Sequence, residues 1–212
     1  MTRSKYPSID AIVQRSFRHM GKDDLWRRYT GGSYEESETI GDYKVDFDVQ
    51  ENGDTQFIIW NPDTPCITVY VHGTEAMLNF LEYSPRCTID GKMKRGEGTR
   101  KMVNAAFDIA RKLGASTIQL VDQSTIQCET GETIKLGPYS FFKTGKTWYE
   151  KQFGFYPIAE FQEEYQLAKE LRKTLNVENM TCSEFDRKTT NGLLRAVGLD
   201  FFGIVWEKDL SR

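Results

Sequence analysis

Arg95-Gly96-Glu97-Gly98-Thr99-Arg100 is the stretch of this sequence whose residue types and spacing point most directly to chemistry. Glycines let a backbone turn tightly and approach a ligand without a Cβ in the way. Apolar residues then recur at helical spacing, so the stretch opens a helix. The first N–H groups of a helix have no intrahelical partner and point outward with the positive end of the dipole. Such a terminus is a ready anion site. Lys92, Lys94, Arg95, Arg100 and Lys101 add charge for a second phosphate. The chemistry expected is therefore diphosphate binding. A dinucleotide fingerprint does not fit, because its third glycine would fall at Lys101 and the preceding strands form a meander. Thr144-Gly145-Lys146-Thr147 is similar to the end of a P-loop. That motif's first glycine would fall at Ser140, and no strand precedes it, so a triphosphatase is set aside.

Other chemistries find fewer residues. The four cysteines, Cys66, Cys87, Cys128 and Cys182, form no C-x-x-C, which excludes a zinc ribbon or thioredoxin-like motif. Arg3, Lys5, Asp10 and Arg15 interrupt any apolar signal core. Reduced thiols in a cytoplasmic setting are thus expected. Cys128 reads as a buried structural thiol, since a nucleophile needs a nearby base and neither histidine is close in sequence. His19 and His72 read as surface or strand residues, and no metal is expected.

The elements that must position these groups follow from composition and periodicity. A chain of 212 residues fits one domain better than two. Aromatics at 13% supply a core and exclude wholesale disorder. A net charge of −3 argues against a nucleic-acid partner. The longest apolar runs, such as Phe201–Trp206, fall far short of the roughly 20 residues a membrane helix needs, so no membrane partner is expected. Charge is uneven along the chain: residues 1–30 carry a net +4, residues 31–90 a net −10, and residues 91–115 a net +5. The acidic stretch, including Glu35, Glu36 and Glu38, suits a cationic ligand.

Ser8 is an N-cap candidate for a first helix whose apolar face is Ile9, Ile12, Val13, Phe17 and Met20, and residues 22–29 form a second short helix. From 43 to 83 the period is two. Strands are predicted at Tyr43–Val49, Phe57–Trp60, Cys66–Val71 and Ala76–Tyr83, with an Asn52-Gly53 hairpin turn. Residues 98–113 return to helical period with Met102, Ala106, Ile109 and Leu113 as the buried stripe and Gly114 beyond the end. Thr117–Val121 is a strand. Further helices are predicted at 138–152, at 161–175 (Phe161, Tyr165, Ala168, Leu171, Leu175) and at 183–197. Residues 156–158 and Phe201–Trp206 complete the strands.

Arg95-Gly96-Glu97-Gly98-Thr99-Arg100 resembles the R-x-x-G-x-G/A motif of the GNAT superfamily of N-acetyltransferases, with Arg100 in the last position. Trp148-Tyr149-Glu150-Lys151-Gln152-Phe153-Gly154-Phe155 is similar to that family's Tyr-Glu-Lys…Gly-Phe signature, and Trp206-Glu207-Lys208-Asp209-Leu210 to its closing strand. The resemblance covers roughly residues 43–160 plus the last strand. It implies an α/β (α+β) fold: a mixed, mostly antiparallel central sheet flanked by helices. The Ala76–Tyr83 and Ile118–Val121 strands would splay apart in it. The whole chain is then a single GNAT-like domain. Residues 1–40 form an N-terminal helical segment, 43–160 the core with the acyl-CoA site, 162–200 a helical insertion and 201–206 the final strand.

The activity this resemblance implies is transfer of acetyl from acetyl-CoA to a primary amine in a ternary complex. The acceptor would be a polyamine, a protein lysine or an N-terminus, and no metal takes part. The diphosphate would rest on Arg95, Gly96, Glu97, Gly98, Thr99 and Arg100, and the pantetheine along Leu120 and Val121. The leaving thiolate takes a proton, for which Tyr149 is the candidate acid; Glu82 and Asp122 are candidate bases. Tyr149 lies five residues before Gly154, one more than in many relatives, which turns a helical side chain by about 100°. The alternative reading is a GNAT-fold protein that binds acyl-CoA or a protein partner without turnover.

Overall fold

The computed structural model describes residues 36–40, 43–50, 53–61, 63–81, 87, 97–201 and 203–211. The two helices expected before residue 30 lie outside these. The chain divides into two compact units, residues 1–119 with 209–212, and residues 120–208.

The first unit is built on an antiparallel meander. Its strands are β1 (Glu36–Ile40), β2 (Tyr43–Val49), β3 (Thr55–Trp60), β4 (Pro65–His72) and β5 (Glu75–Leu81). Four of these were expected; β1 was not. The alternation in sequence becomes two faces. Val45, Phe47, Phe57, Ile59, Ile67, Val69 and Val71 are buried on one of them, with Phe47 opposite Phe57. Lys44, Asp46, Asp48, Gln56, Ile58, Trp60, Thr68 and Tyr70 alternate onto the other. Gly53 takes a positive φ of 87° in the β2–β3 turn, a conformation open to glycine at little cost.

Helix α1 (Glu97–Lys112) packs against β4 and buries Met102, Val103, Ala106, Phe107, Ile109 and Ala110. Arg111 and Lys112 complement its C-terminal dipole. Gly114, at φ 98°, closes it by donating to the Arg111 carbonyl at 3.0 Å. β6 (Thr117–Val121) neighbours β5. Their starts are joined, since Thr74 O accepts from Ser116 N at 2.8 Å and Thr117 N at 3.3 Å.

The second unit carries a short ribbon, β7 (Thr125–Gln127) with β8 (Thr133–Lys135), neither strand expected. Its helices are α2 (Leu136–Thr144), α3 (Trp148–Phe153), α4 (Ala159–Arg172) and α5 (Arg187–Val197), and β9 (Tyr156–Pro157) pairs antiparallel with β10 (Val205–Asp209). The single helix expected over 138–152 is two. Gly145 ends α2 in the left-handed region, and Thr147 starts α3 with a reciprocal capping box to Glu150. The helix expected from 183 begins at Arg187, because Asp186 caps it by accepting from Thr189 N at 2.7 Å. The last strand lies at Val205–Asp209 and not at Phe201–Trp206; Phe201 is buried before it, against Phe141 and Tyr165. Along α4 the buried positions are Tyr165, Ala168 and Arg172, whereas Leu171 is 36% exposed. Arg172 outcompetes Leu171 for the interior because its Nε donates to Phe142 O at 2.8 Å and its Nη2 reaches Glu178.

The expected free thiols are not found. Cys66 pairs with Cys87, and Cys128 with Cys182, at Cα separations of 5.6 and 5.5 Å. Each pair spans a tertiary distance with no local sequence signal, so spacing alone could not reveal it. Cys128 is buried, as expected, but as half of a cystine. Among the described residues no helix is long and apolar enough to cross a membrane.

Candidate functional site

The second unit gathers an acidic and a phenolic group, each on a locally determined support. β6 runs out through buried Leu120 and exposed Val121, and the chain then turns at Asp122. Ser124 makes that turn: its backbone N donates to Asp122 Oδ1 at 3.0 Å, and its hydroxyl donates to the same oxygen. Leu136 N donates to Ser124 O at 2.9 Å, and Lys135 Nζ to Gln123 O at 3.4 Å, so the β7–β8 ribbon folds back onto the turn. Asp122 Oδ2 is buried and has no hydrogen-bond partner. It lies against Gly137 in the first turn of α2, where an added Cβ would stand 2.8 Å away. Burial raises the Asp122 pKa above the usual carboxylate value. The Ser124 hydrogen bonds and the Lys135 charge pull the other way and do not cancel it.

Tyr149, the second residue of α3, is 5% exposed. Its ring packs edge-on to Trp148 at 5.0 Å and to Phe155 at 5.8 Å, and beside Phe153. Burial drives its phenol pKa well above the usual value, and the negative charge of Asp122 adds to this. Two residues distant in sequence thus share one electrostatic environment. A protonated Tyr149 and a carboxylate with a buried, unpaired oxygen are the residue types of an acid–base pair.

Below them, Glu150 staples α3 to α4. Its Oε2 accepts from Thr147 N and, at 2.6 Å, from the Tyr165 hydroxyl, while its Oε1 meets Lys169 Nζ at 2.8 Å. Burial and this carboxylate raise the Tyr165 pKa well above its usual value.

The remaining candidates fall elsewhere. Glu97, Gly98, Thr99 and Arg100 form the first turn of α1 in the first unit, with Gly98 buried and Arg100 exposed. Lys101 is exposed beside this turn, and Glu97 puts a negative charge in it. Glu82, Arg95 and Gly96 lie outside the described residues. Among the described residues no group of three or more His, Cys, Asp or Glu side chains could hold a metal ion.

The sequence reading missed Ser124, Lys135 and Gly137. An Asp-x-Ser triplet directly after an apolar strand, followed by Gly137-Pro138 at a helix start, was the available signal. Comparison with protein-family models, characterised proteins and solved structures returned no match. What stands is the class: an α+β protein with a mostly antiparallel sheet flanked by helices.

Proposed function

We propose that the chain is an acyl-CoA-dependent N-acyltransferase that moves acetyl from acetyl-CoA to a primary amine. The observation that carries this reading is the Asp122–Tyr149 pair. Asp122 has one buried oxygen with no hydrogen-bond partner, the acceptor this reading assigns to the ammonium, and its raised pKa improves it as a base. Tyr149 remains protonated at neutral pH and can donate to a departing thiolate. Acetyl-CoA would supply the activated thioester. The motif resemblance supports the same reading, and with it the splayed strand pair, which belongs to this proposal. The acceptor is a polyamine, a protein lysine or an N-terminus. A second reading, binding of acyl-CoA or a partner without turnover, is favoured by the tight aromatic packing around Tyr149.

The cytoplasmic placement expected from the sequence belongs here too, and two cystines weigh against it, since disulfides persist in oxidising compartments. Counting free thiols in native chain decides: none supports an oxidising compartment, four restores the cytoplasm.

The deciding experiment measures thermal shift with acetyl-CoA and desulfo-CoA, against ATP, then thiol release with an amine panel. A ligand at about 100 times its Kd adds ~2.7 kcal/mol. Tyr149→Phe should keep the shift and lose about 10²- to 10⁴-fold in turnover. No shift at millimolar acetyl-CoA rejects the acyl-CoA reading altogether; a shift without turnover on any amine selects the second reading.

A further inference from the structure

Asn179-Met180-Thr181 matches the acceptor pattern for N-linked glycans, Asn-x-Ser/Thr with x other than Pro. None of the chain's other asparagines is followed two residues later by Ser or Thr. Three residues alone say little; their place in the fold says more. Met180 N donates to Val177 O at 3.2 Å, which closes a turn over residues 177–180 with Glu178 and Asn179 at its corner. Val177 is buried, whereas Glu178, Asn179 and Thr181 are exposed. The turn is held from α2 through its backbone: Lys143 Nζ donates to Glu178 O and to Met180 O, each at 2.8 Å. A bulky polar group on the Asn179 amide therefore enters solvent and displaces nothing from the core.

We propose that Asn179 is a site of N-linked glycosylation. The cystines supply the second, independent observation. Cys66–Cys87 and Cys128–Cys182 are the chemistry of an oxidising compartment, and the lumen in which asparagines are glycosylated is one. Cys182 directly follows the triplet, so cystine and acceptor lie in one segment. The donor is an oligosaccharide carried on a polyisoprenyl diphosphate. Asn179 Nδ2 forms a bond to the anomeric carbon of the sugar, and the bond from that carbon to the diphosphate oxygen breaks. The lipid diphosphate leaves with the electron pair, and a base of the transferase takes the amide proton. In the folded chain the Thr181 hydroxyl donates to Glu184 Oε2 at 2.7 Å, so transfer precedes the closing of that turn. None of this rests on the acyltransferase reading.

The test takes the full chain from its own cells and reads the tryptic peptide 174–187, bounded by Lys173 and Arg187, by mass spectrometry. The peptide should carry a glycan that peptide-N-glycosidase removes, leaving an aspartate at position 179. Chains bearing it should contain no free thiol. Asn179→Gln and Thr181→Ala, expressed in the same cells, should lose the glycan completely. Thr181→Ser keeps both the acceptor pattern and a hydroxyl for Glu184, and should keep the glycan. That pair of substitutions at 181 separates loss of the acceptor from loss of the fold. An unmodified peptide 174–187 in the native chain overturns the proposal. So does a glycosidase-sensitive mass that survives Asn179→Gln, which places the glycan elsewhere, or a peptide indifferent to Thr181→Ala.

Discussion

Gly137→Ala is a sharp probe of the Asp122 environment, because general helix physics and this structure predict opposite signs. In an exposed helix, replacing Gly by Ala stabilises by about 0.8–1.0 kcal/mol in the interior and less near an end. Here the new Cβ would lie 2.8 Å from Asp122 Oδ2 and 3.4 Å from its Cγ. At that distance either the carboxylate rotates or the first turn of α2 withdraws. Rotation strains the two hydrogen bonds that Asp122 Oδ1 accepts from Ser124, each worth roughly 1.5–3 kcal/mol to a charged group. Overpacking of this kind typically costs about 1–3 kcal/mol. The net expectation is a loss of ~1–2 kcal/mol once the helix-propensity gain is subtracted.

The assay is urea unfolding of wild type, Gly137→Ala, Asp122→Ala and the double variant, followed by tryptophan fluorescence. Removing the Asp122 side chain removes the obstacle, so Gly137→Ala should become neutral or stabilising there. The cycle should return a coupling of ~1–3 kcal/mol, in the range of residues in contact. A stabilising Gly137→Ala in the wild-type background, or the same cost in both backgrounds, refutes the packing argument.

Three further predictions concern the same unit. Asp122→Asn should stabilise the chain at neutral pH and lose that advantage in acid. Burial raises the folded pKa above the ordinary value of 3.8, so the native state holds the proton more tightly. The stability this gives is full below that value and fades as pH rises through the raised folded pKa. Chemical denaturation between pH 3 and 8 reads the divergence, and parallel curves would contradict it. Glu150→Ala should cost about 2–3 kcal/mol by orphaning the Tyr165 hydroxyl and the Lys169 ammonium, and Glu150→Gln about 1; equal losses in the two variants would argue against the charge. Replacing Cys128 and Cys182 together by Ser should cost about 2–4 kcal/mol, since their cystine closes a loop of 54 positions; an unchanged melting temperature would deny the cystine a structural role.

Legibility in the sequence tracked how local each determinant was. The meander was readable because Val45, Phe47 and their partners alternate with Lys44, Asp46 and Asp48, a period that only a half-buried strand explains. Helix α1 was readable from its stripe and from Gly114. β1 was not, because Glu36–Ile40 carries two carboxylates and almost no apolar matter; its pairing with β2 makes it a strand. The single helix expected over 138–152 overlooked Gly145 as the C-cap of one helix and Thr147 as the N-cap of the next. Capping is a local signal, so that error was avoidable. The cystines, and the exclusion of Leu171 in favour of Arg172, were not avoidable. They depend on carbonyls and thiols brought in from distant parts of the chain. At the site, Asp122 and Tyr149 were each singled out by resemblance, but their shared environment is a tertiary fact. Ser124 and Gly137, which pack on Asp122, carry no periodicity; their only trace is the local Asp-x-Ser turn and the Gly137-Pro138 helix start.

The unpaired, buried Asp122 oxygen is where stability and the proposed function separate. A carboxylate that served only to make the turn would need Oδ1 alone, and Asn supplies that acceptor without a buried charge. The fold nevertheless gives up the side chain of residue 137 to make room for Oδ2 and then leaves Oδ2 unpaired. Local costs of this kind persist where a site needs the group in a reactive state. Asp122→Asn should therefore move stability and turnover in opposite directions. A variant that is both more stable and fully active would remove Asp122 from the chemistry and leave Tyr149 as a packed core residue.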